Sequence, residues 1–404
     1  MVVRLHAPLR ALHLLQDKDP ENVYKPRARA ELKQLTVKEI QQPKEASSRP
    51  SPDRGPRVSV IIPCRNEVNT IGPTLDSILR QKPYDAFPIE QWVEVLVVND
   101  ASTDGTDRVL AEYAQKHAVV QVVANETRLG LAGSYNRAIR QARAPILLTC
   151  HADCRLQGDE YLQRMIGHFS DDRVAAVTGK PVCPDFTKLT FAEKTYILTH
   201  LMDIEEEPPM LREINFTEGR CDGFRRQALE AVGLYNEKTR ISGEDQILAT
   251  ELRKRGYRLL QDTSLRYHLS VGSSQNNAWR IILRQIVLGQ GQAFILMRTG
   301  FDNSRLAVTA PNRFRRRRLR MLQVAAVPLC LIALAVLAAV SPLWFARGLL
   351  GLVALRLGYL FLESHGRFFL TETLRIFPIA VACDLTYCLG FYRGLLLSLL
   401  GRSV

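Results

Sequence analysis

The chain has 404 residues, of which 46% are hydrophobic, enough for one large domain or two domains with buried cores. Its formal net charge is +13, and a dense part of that charge, RFRRRRLR at Arg313 to Arg320, directly precedes the most apolar part of the chain. This position is typical of the cytoplasmic flank of a membrane span and predicts contact with membrane lipid. No nucleic-acid partner is expected, because the basic residues are not spread over a folded face with aromatic residues between them.

Residues 1–56 are polar and rich in proline, lysine and arginine, and they predict a flexible N-terminal arm. No apolar stretch of signal-peptide length occurs near the N-terminus, so secretion is not expected. The eight cysteines stand at irregular spacing, which favours reduced thiols over a disulfide framework.

Apolar, β-branched runs alternate with helical periodicity from Val58 onward. The four pairs are, in chain order, VSVII and TLDSILRQ, VEVLVV and DRVLAEYAQK, VVQVVA and SYNRAIRQA, and PILLTC and DEYLQRMIGHF. Four strand–helix repeats predict an α/β fold with a doubly wound, mostly parallel sheet that is covered on both faces. Residues 174–300 continue with short strands and helices, so we expect one domain over residues 57–300.

The C-terminal part of the chain is apolar. A basic juxtamembrane segment at residues 301–320 leads into the uncharged run Met321–Ala346, which is longer than the roughly 20 residues that cross a bilayer. Two further runs carry charges that either pair or place one segment at the membrane interface. These runs are Gly348–Leu362 with Arg356, and Ile376–Leu400 with Asp384 and Arg393. We expect two to three transmembrane helices over residues 321–404.

Polar residues follow three of the predicted strands. They are PCRNE at Pro63 to Glu67, NDASTDGT at Asn99 to Thr106, and HADC at His151 to Cys154. Ligands of open parallel sheets bind outside the carboxyl ends of the strands, so these segments are expected at one edge. No GxGxxG follows the first strand and no GxxxxGK[ST] occurs, so a diphosphate bound at this edge needs a cation to neutralise it.

The HADC segment has two candidate metals. If it continues an extended strand, His151 and Asp153 share one side, while Cys150 and Cys154 share the other. Zinc needs sulfur and imidazole ligands that converge, and no second cysteine pair has ligand spacing. Asp153 as an oxygen ligand to Mg²⁺ or Mn²⁺ is favoured, because such ions usually share their coordination with substrate phosphates.

Five segments occur in the order found in family-2 glycosyltransferases with the GT-A fold. They are VSVIIPCRNE, VVNDASTDGT, LLTCHADC, GRCDGFRRQALEAVGLYNE and ISGEDQILATELRKRGY. The resemblance covers residues 57–300 and implies a catalytic domain there. The apolar C-terminus is similar to that of membrane-bound members that build bacterial exopolysaccharides or lipid-linked glycans.

The resemblance implies roles for individual donor-side residues. Asp100 matches the acid that binds the nucleotide base, and Asp153 matches the last acid of the DXD motif, which binds the metal on the diphosphate. Pro63, Arg65 and Glu67 match the loop that closes on base and ribose. Arg128 is a further candidate for contact with the diphosphate.

On the acceptor side, Asp245 of GED matches the catalytic base, and Glu244 lies beside it. The alternative for this segment is a helix N-cap with an acidic first turn, which is compatible with catalysis. Arg284 is the candidate cation on this side. His268 matches the position of an additional metal ligand, or it simply ends a strand.

The sequence departs from the family pattern twice. His151 stands where the first acid of DXD is usual, which leaves Asp153 as the main carboxylate. Chain-extending members carry QxxRW after the GED helix, and the corresponding segment IILRQ, Ile281 to Gln285, keeps Arg284 but lacks the glutamine and tryptophan. This difference favours transfer of one sugar per acceptor.

The resemblance therefore implies an inverting, Mg²⁺- or Mn²⁺-dependent glycosyltransferase in the cytoplasmic membrane, multi-pass, with its catalytic domain facing the cytoplasm. The expected donor is a UDP- or GDP-sugar, and the expected acceptor is a hydroxyl group of a lipid-linked or glycan precursor. One alternative is transfer to a polyprenyl phosphate, which is already ionised and needs no base. Another is a catalytically inactive membrane scaffold.

Overall fold

The structure is a computed structural model that describes residues 55–84, 87–182, 185–200, 206–217, 219–237, 243–270, 277–299, 311–363 and 369–401. The predicted N-terminal arm lies outside the described residues except for its last two, and so do residues 301–310 of the predicted basic segment.

The strands of the described residues form one sheet in the order β3-β2-β1-β4-β8-β6-β9-β5, with β7 paired to β9. In chain order they are β1 (Val58–Cys64), β2 (Val93–Asn99), β3 (Val120–Ala124), β4 (Ile146–Cys150), β5 (Cys154–Leu156), β6 (Val174–Pro181), β7 (Leu211–Glu213), β8 (Cys221–Arg225) and β9 (Arg258–Leu269).

The helices of the sheet domain lie between these strands. They are α1 (Ile71–Leu79), α2 (Ile89–Trp92), α3 (Thr106–Lys116), α4 (Gly130–Gln141), α5 (Tyr161–Gly167), α6 (Phe191–His200), α7 (Arg226–Ala231), α8 (Glu244–Lys254) and α9 (Ala278–Thr299). Three long apolar helices follow, namely α10 (Pro311–Val340), α11 (Pro342–Glu363) and α12 (Leu370–Leu399).

The first half of the sheet is parallel, with β1 between β2 and β4 and with β3 at the edge. Every residue of β2 is buried, as expected for a strand that helices cover on both faces. The predicted α/β fold is confirmed. The second half is mixed, because β8 runs antiparallel to both β4 and β6.

The segment LLTCHADC is not one strand, so the condition of a continuous extended strand is not met. Strand β4 ends at Cys150, and the backbone turns because the N–H of Cys154 donates to the carbonyl of His151 at 3.1 Å. The two predicted sides still hold. Sγ of Cys150 lies 3.6 Å from Sγ of Cys221 in the core, whereas Nδ1 of His151 lies 4.0 Å from Oδ1 of Asp153.

The predicted first span, Met321–Ala346, is divided between two helices. Helix α10 ends at Val340, and Pro342 begins α11, since proline lacks the N–H that a continuing helix needs. By length and composition, three helices of the described residues could cross a membrane, over Leu322–Val340, Pro342–Leu362 and Leu370–Leu399. Only 6% of the most apolar part of each of the first two is buried, against 44% for the third.

Helix α12 is buried because it packs along α9. A Cβ on Gly390 would lie 2.0 Å from the carbonyl oxygen of Ile286, and a Cβ on Gly289 would lie 2.2 Å from that of Tyr387, so the backbones approach closely. The charges inside the apolar runs also pair, since Nε of Arg356 lies 2.6 Å from Oδ2 of Asp384. This confirms the pairing alternative for those two residues.

Candidate active site

The strand order brings the predicted polar segments to one edge of the sheet. The carboxyl ends of β2, β1 and β4 are neighbours, and the antiparallel β8 begins beside the end of β4. The backbone N–H of His151, just after β4, donates to the carbonyl of Arg220, just before β8, at 2.9 Å. The residues that follow three strands and the residues that precede a fourth therefore line one continuous edge.

Asp100 is held in place by hydrogen bonds from neighbouring protein groups. Its carboxylate accepts from the side-chain amide of Asn125 at 2.8 Å and from the backbone N–H groups of Leu129 and Gly130 at 2.7 and 3.0 Å. It is 5% exposed and anchors the start of α4. Arg128, in the loop held by this carboxylate, is exposed at the same edge. A base-binding role for Asp100 stays a prediction.

The loop after β1 is tied to the loop after β2. The N–H of Glu67 donates to Oγ1 of Thr106 at 2.9 Å, and the N–H of Thr103 donates to Oδ1 of Asn66 at 2.8 Å. Asn66 adopts φ +57, which turns the chain out of the sheet. Pro63 is partly buried at the end of β1 and Arg65 is exposed, so the predicted donor loop presents side chains to solvent at this edge.

Glu67 and Asp153 are close enough to repel each other. Burial raises the pKa of Glu67 to about 7, and the charges of Asp153 and Asp104 act in the same direction, against the Thr70 hydroxyl that donates to it. A cation between Glu67 and Asp153 would favour the ionised form of Glu67. Among the described residues no group of three His, Cys, Asp or Glu side chains is placed to hold a metal ion.

His151 is neutral at physiological pH. Burial lowers its pKa to about 4, and the cations Arg220 and Arg284 add to this effect, which Asp153 opposes. Its Nε2 atom is buried without a hydrogen-bond partner among the described residues. Such an atom is a candidate contact for a ligand, since leaving a buried polar group unpaired costs stability.

The segment GED forms the start of α8. Gly243 precedes the helix with φ +93, a conformation that favours glycine, and places Glu244 and Asp245 in the first turn. Burial raises the pKa of Asp245 to about 8, and the charges of Glu244 and Asp222 raise it further, against a backbone hydrogen bond. Burial also raises the pKa of Glu244, which Arg284 opposes.

Arg284 on α9 connects the two sides of the edge. Its charge acts on His151 beside Asp153 and on Glu244 beside Asp245. A single guanidinium can affect both groups only if both lie nearby. Contacts give the same arrangement, because the carbonyl of Arg220 accepts from the N–H of His151 and the adjacent Gly219 lies against the carboxylate of Asp245, so the residues after β4 and the acidic start of α8 line one cleft.

His268 lies on β9 opposite Arg155 of β5. Burial lowers the pKa of His268, and the charges of Arg155 and Arg80 lower it further. Its electrostatic neighbours are thus cations, and its role as a metal ligand stays a prediction.

The cysteines that made HADC conspicuous lie in the core behind the cleft. Burial raises the pKa of Cys154 to about 12 and that of Cys221 well above its usual range. Thiols with such pKa values stay protonated, and they pack as small apolar side chains.

Sequence reasoning missed Asp222 and Arg220. Asp222 is fully buried in β8, accepts from the N–H of Gly219 at 2.7 Å, and has its pKa raised to about 6 by burial. Gly219, with φ +71, approaches Asp245 so closely that a Cβ would lie 3.0 Å from its carboxylate. The acid inside the otherwise apolar strand CDGF is the sequence signal that could have identified Asp222.

Comparison with known proteins supports the resemblance. Residues 59–233 match the family model described as Glycosyl transferase family 2. The poly-beta-1,6-N-acetyl-D-glucosamine synthase of Staphylococcus aureus (strain MSSA476) is 24% identical over 246 residues, 61% of this chain and 57% of that protein. The synthase of the same name from Staphylococcus epidermidis is 23% identical over 242 residues, 60% of this chain and 56% of that protein. The chain thus matches little more than half of each relative's length.

Among solved structures, the mannosyltransferase PcManGT from Pyrobaculum calidifontis, in complex with GDP-Man and Mn2+, has a TM-score of 0.56 and 24% sequence identity. The superposition covers 88% of this chain and 93% of that one. The shared fold therefore is not confined to the sheet domain.

Proposed function

We propose that this chain, which carries a glycosyl transferase family 2 domain over residues 59–233, transfers a sugar from a UDP- or GDP-sugar to a hydroxyl group of a lipid-linked or glycan acceptor. The observation that carries the proposal is that the residues after β4 and the start of α8 are neighbours: the carbonyl of Arg220 accepts from the N–H of His151 at 2.9 Å, and the adjacent Gly219 lies against the carboxylate of Asp245. Glycosyl transfer requires a diphosphate site and a proton acceptor in the same cleft, and these residues supply both.

The donor side fits a divalent cation. Asp153 and Glu67 repel each other, and oxygen ligands of this kind suit Mg²⁺ or Mn²⁺, which commonly bind through one or two carboxylates together with substrate phosphates. When bound, such an ion neutralises the charge that develops on the leaving diphosphate. Asp153 would hold it, with Glu67 as the second carboxylate, and the unpaired Nε2 of His151 would face the same phosphates.

The transfer step follows from the groups in the cleft. The acceptor oxygen attacks the anomeric carbon as the bond from that carbon to the diphosphate oxygen breaks, and the acceptor proton passes to the carboxylate of Asp245. One attack from the face opposite the leaving group inverts the anomeric centre. Arg284 favours the ionised form of Glu244 and places positive charge next to the diphosphate as it leaves.

Three helices that are long and apolar enough to cross a membrane support a lipid-linked acceptor. Within Leu322–Val340 of α10 and Pro342–Leu362 of α11 the most apolar part is only 6% buried, and α12 packs on α9, which carries Arg284. We infer that residues 321–404 form the membrane region, that residues 301–320 form the juxtamembrane segment, and that residues 57–300 form the catalytic domain on the cytoplasmic side. The S. aureus relative is named for a polymer of N-acetylglucosamine, which makes UDP-N-acetylglucosamine the first donor to test.

Purified full-length protein should transfer labelled sugar from UDP-N-acetylglucosamine or GDP-mannose to a membrane-lipid extract in the presence of Mn²⁺. A protein that neither transfers nor hydrolyses any of a panel of UDP- and GDP-sugars would contradict the proposal and favour the inactive scaffold.

The nature of the acceptor is tested by Asp245→Asn. A hydroxyl acceptor must lose its proton, so this variant should lose transfer while it keeps donor binding. If the variant transfers at the wild-type rate, the acceptor is an already ionised phosphate, and the hydroxyl assignment is wrong.

A further inference from the structure

Arg220 is a cation at the edge of the sheet whose side chain has no partner among the described residues. It immediately precedes β8 and is partly buried, and within the described part of the chain its guanidinium makes no hydrogen bond and no ion pair. Burial alone would lower its pKa, but the acidic groups of Tyr196, Tyr267 and Asp153 outweigh burial and raise it, so Arg220 is charged. A guanidinium whose N–H donors are unoccupied is complementary to an anion.

The backbone fixes Arg220 beside Asp153. The carbonyl of Arg220 accepts from the N–H of His151 at 2.9 Å, which continues the ladder in which Cys150 of β4 faces Cys221 of β8. Asp153 follows His151 by two residues, and Oδ1 of Asp153 lies 4.0 Å from Nδ1 of His151. Arg220 and Asp153 are therefore electrostatic neighbours that do not bond to each other, and both charges are available to a ligand.

A second unpaired polar group lies in the same place. Nε2 of His151 is buried and has no hydrogen-bond partner among the described residues. Burial lowers the pKa of this ring, and the charge of Arg220 adds to the effect, as expected for two groups that lie close together. A neutral imidazole that carries its proton on Nε2 and a guanidinium are both donors, and a phosphate supplies the oxygen atoms that both need.

The residue before Arg220 contacts the proposed base. A Cβ on Gly219 would lie 3.0 Å from Oδ2 of Asp245, and consecutive Cα atoms of a chain are about 3.8 Å apart. Gly219 and Arg220 therefore lie side by side, the first against Asp245 and the second beside Asp153. In an inverting transfer the acceptor oxygen and the leaving oxygen lie on opposite sides of the anomeric carbon, which puts the leaving oxygen on the Arg220 side.

We propose that Arg220 is a catalytic residue that binds the diphosphate of the donor at the oxygen from which the sugar leaves. This inference rests on the proposed function, because it assigns a residue to the leaving group of that reaction. As the acceptor oxygen bonds to the anomeric carbon, the bond from that carbon to the diphosphate oxygen breaks and its electron pair stays on that oxygen. The guanidinium stabilises the added negative charge, and because the sheet holds its backbone, little reorganisation is needed.

Nucleotide binding to purified full-length protein tests this contact. UDP and GDP would each be compared with the corresponding monophosphate in the presence of Mn²⁺, by calorimetric titration. The wild type should prefer the diphosphate, and Arg220→Gln should bind it about 10–100-fold more weakly while monophosphate binding changes little, as expected for lost hydrogen bonds to a charged group. Arg220→Lys keeps the charge without the paired donors and should restore part of the preference.

Donor hydrolysis gives a second readout. Loss of Arg220 should lower kcat by about 10²–10³-fold and affect KM less, because the charge that it stabilises develops only as the bond breaks. Arg173→Gln is the matched control, since Arg173 is 72% exposed and pairs with Asp171 at 3.1 Å on the surface. This control should match the wild type in both binding and hydrolysis.

Three outcomes would count against Arg220, and they can be told apart. Full preference for the diphosphate in Arg220→Gln would overturn the inference and leave the proposed function standing. A nucleotide-free melting temperature far below that of the wild type, in both Arg220 variants, would make Arg220 a structural residue and overturn it as well. A wild type that binds neither diphosphate would contradict the proposed function itself, and the inference with it.

Discussion

Asp100 and the acids around the start of α8 are held in opposite ways. On the donor side, Asp100 accepts three hydrogen bonds from protein donors, two of them from the backbone at the start of α4. On the acceptor side, Glu244, Asp245 and Asp222 crowd together, and the pKa of each is raised. Backbone hydrogen bonds hold the Asp100 carboxylate in one position. A carboxyl group with a raised pKa is a stronger proton acceptor once it has ionised.

Because of this difference, carboxylates that contribute to the stability of the fold can be distinguished from carboxylates that serve catalysis. The hydrogen bonds that Asp100 accepts hold the loop before α4 and the start of that helix in place. A carboxyl group held like Asp245 lowers the stability of the fold when it ionises, which is a cost that functional sites often carry. Substitutions on the two sides should therefore have different consequences.

Asp245→Asn should have the largest effect on activity. Loss of the proton acceptor should lower the transfer rate by roughly 10²–10⁴-fold. The same change removes a carboxyl group that is hard to ionise, so the variant should melt higher than the wild type at pH 8, by about 2–4 °C for each kcal/mol gained.

Glu251→Gln is the matched control for this substitution, because Glu251 lies on the same helix, half exposed, and pairs with Lys254 at 2.8 Å. It should leave transfer unchanged and shift stability by no more than about 0.5 kcal/mol. A comparable loss of transfer in both variants would mean that helix α8, and not Asp245, is what the assay reports.

Gly390→Ala tests whether the acceptor side depends on the apolar helices. The added Cβ would meet the backbone of Ile286, which must move α9 and with it Arg284, at an overpacking cost of about 1–3 kcal/mol. Both the melting temperature and the transfer rate should fall, while donor-side metal binding should change less.

Gly351→Ala is the comparison for this change, because a Cβ on that α11 residue meets nothing within 4 Å. It should be neutral or slightly stabilising, as expected for alanine in place of glycine in a helix. If Gly390→Ala and Gly351→Ala have the same melting temperature and the same transfer rate, the close α9–α12 contact is not needed for stability or transfer.

The pH dependence of stability follows from the raised pKa of Asp245. In the unfolded chain an aspartate loses its proton near pH 4, whereas Asp245 in the folded chain loses it near pH 8. Between these values the folded chain binds more protons, so the free energy of unfolding should decrease as pH rises. The decrease from pH 5 to pH 8, measured by chemical denaturation, should be smaller in Asp245→Asn, although Glu67 and Asp222 still contribute.

The smallest expected effect is that of Arg284→Gln on the pH profile of transfer. Arg284 favours the ionised form of Glu244, and the charge of Glu244 raises the pKa of the base Asp245, so removal of Arg284 should leave Glu244 more protonated and move the rising limb of the profile to lower pH. Arg284→Lys keeps the charge and should restore the profile in part. A profile that is the same in all three proteins would place Arg284 outside the cleft.

Much of the donor side could be predicted from sequence, because it depends on local patterns. The runs VSVII and VEVLVV are apolar enough to be buried parallel strands, and the polar residues follow each strand directly. Parallel neighbours then bring Glu67, Asp100 and Asp153 to one edge without further information.

The acceptor side could not be predicted in the same way. Asp222 lies beside Gly219, next to Asp245, only because β8 inserts antiparallel between β4 and β6, and no local pattern fixes that insertion. The contact of Gly390 with Ile286 joins residues about a hundred positions apart. The break at Ser341, in contrast, had a local signal in the proline that follows it.

Donor-induced thermal stabilisation tests most directly the central claim that the two sides of one cleft have separate roles. Wild-type protein, Asp153→Ala and Asp245→Asn would each be melted with Mn²⁺ and a nucleotide sugar, since a ligand that binds only the folded state raises the melting temperature. We expect stabilisation in the wild type and in Asp245→Asn, with none in Asp153→Ala. Full stabilisation of Asp153→Ala, or none in Asp245→Asn, would contradict the account.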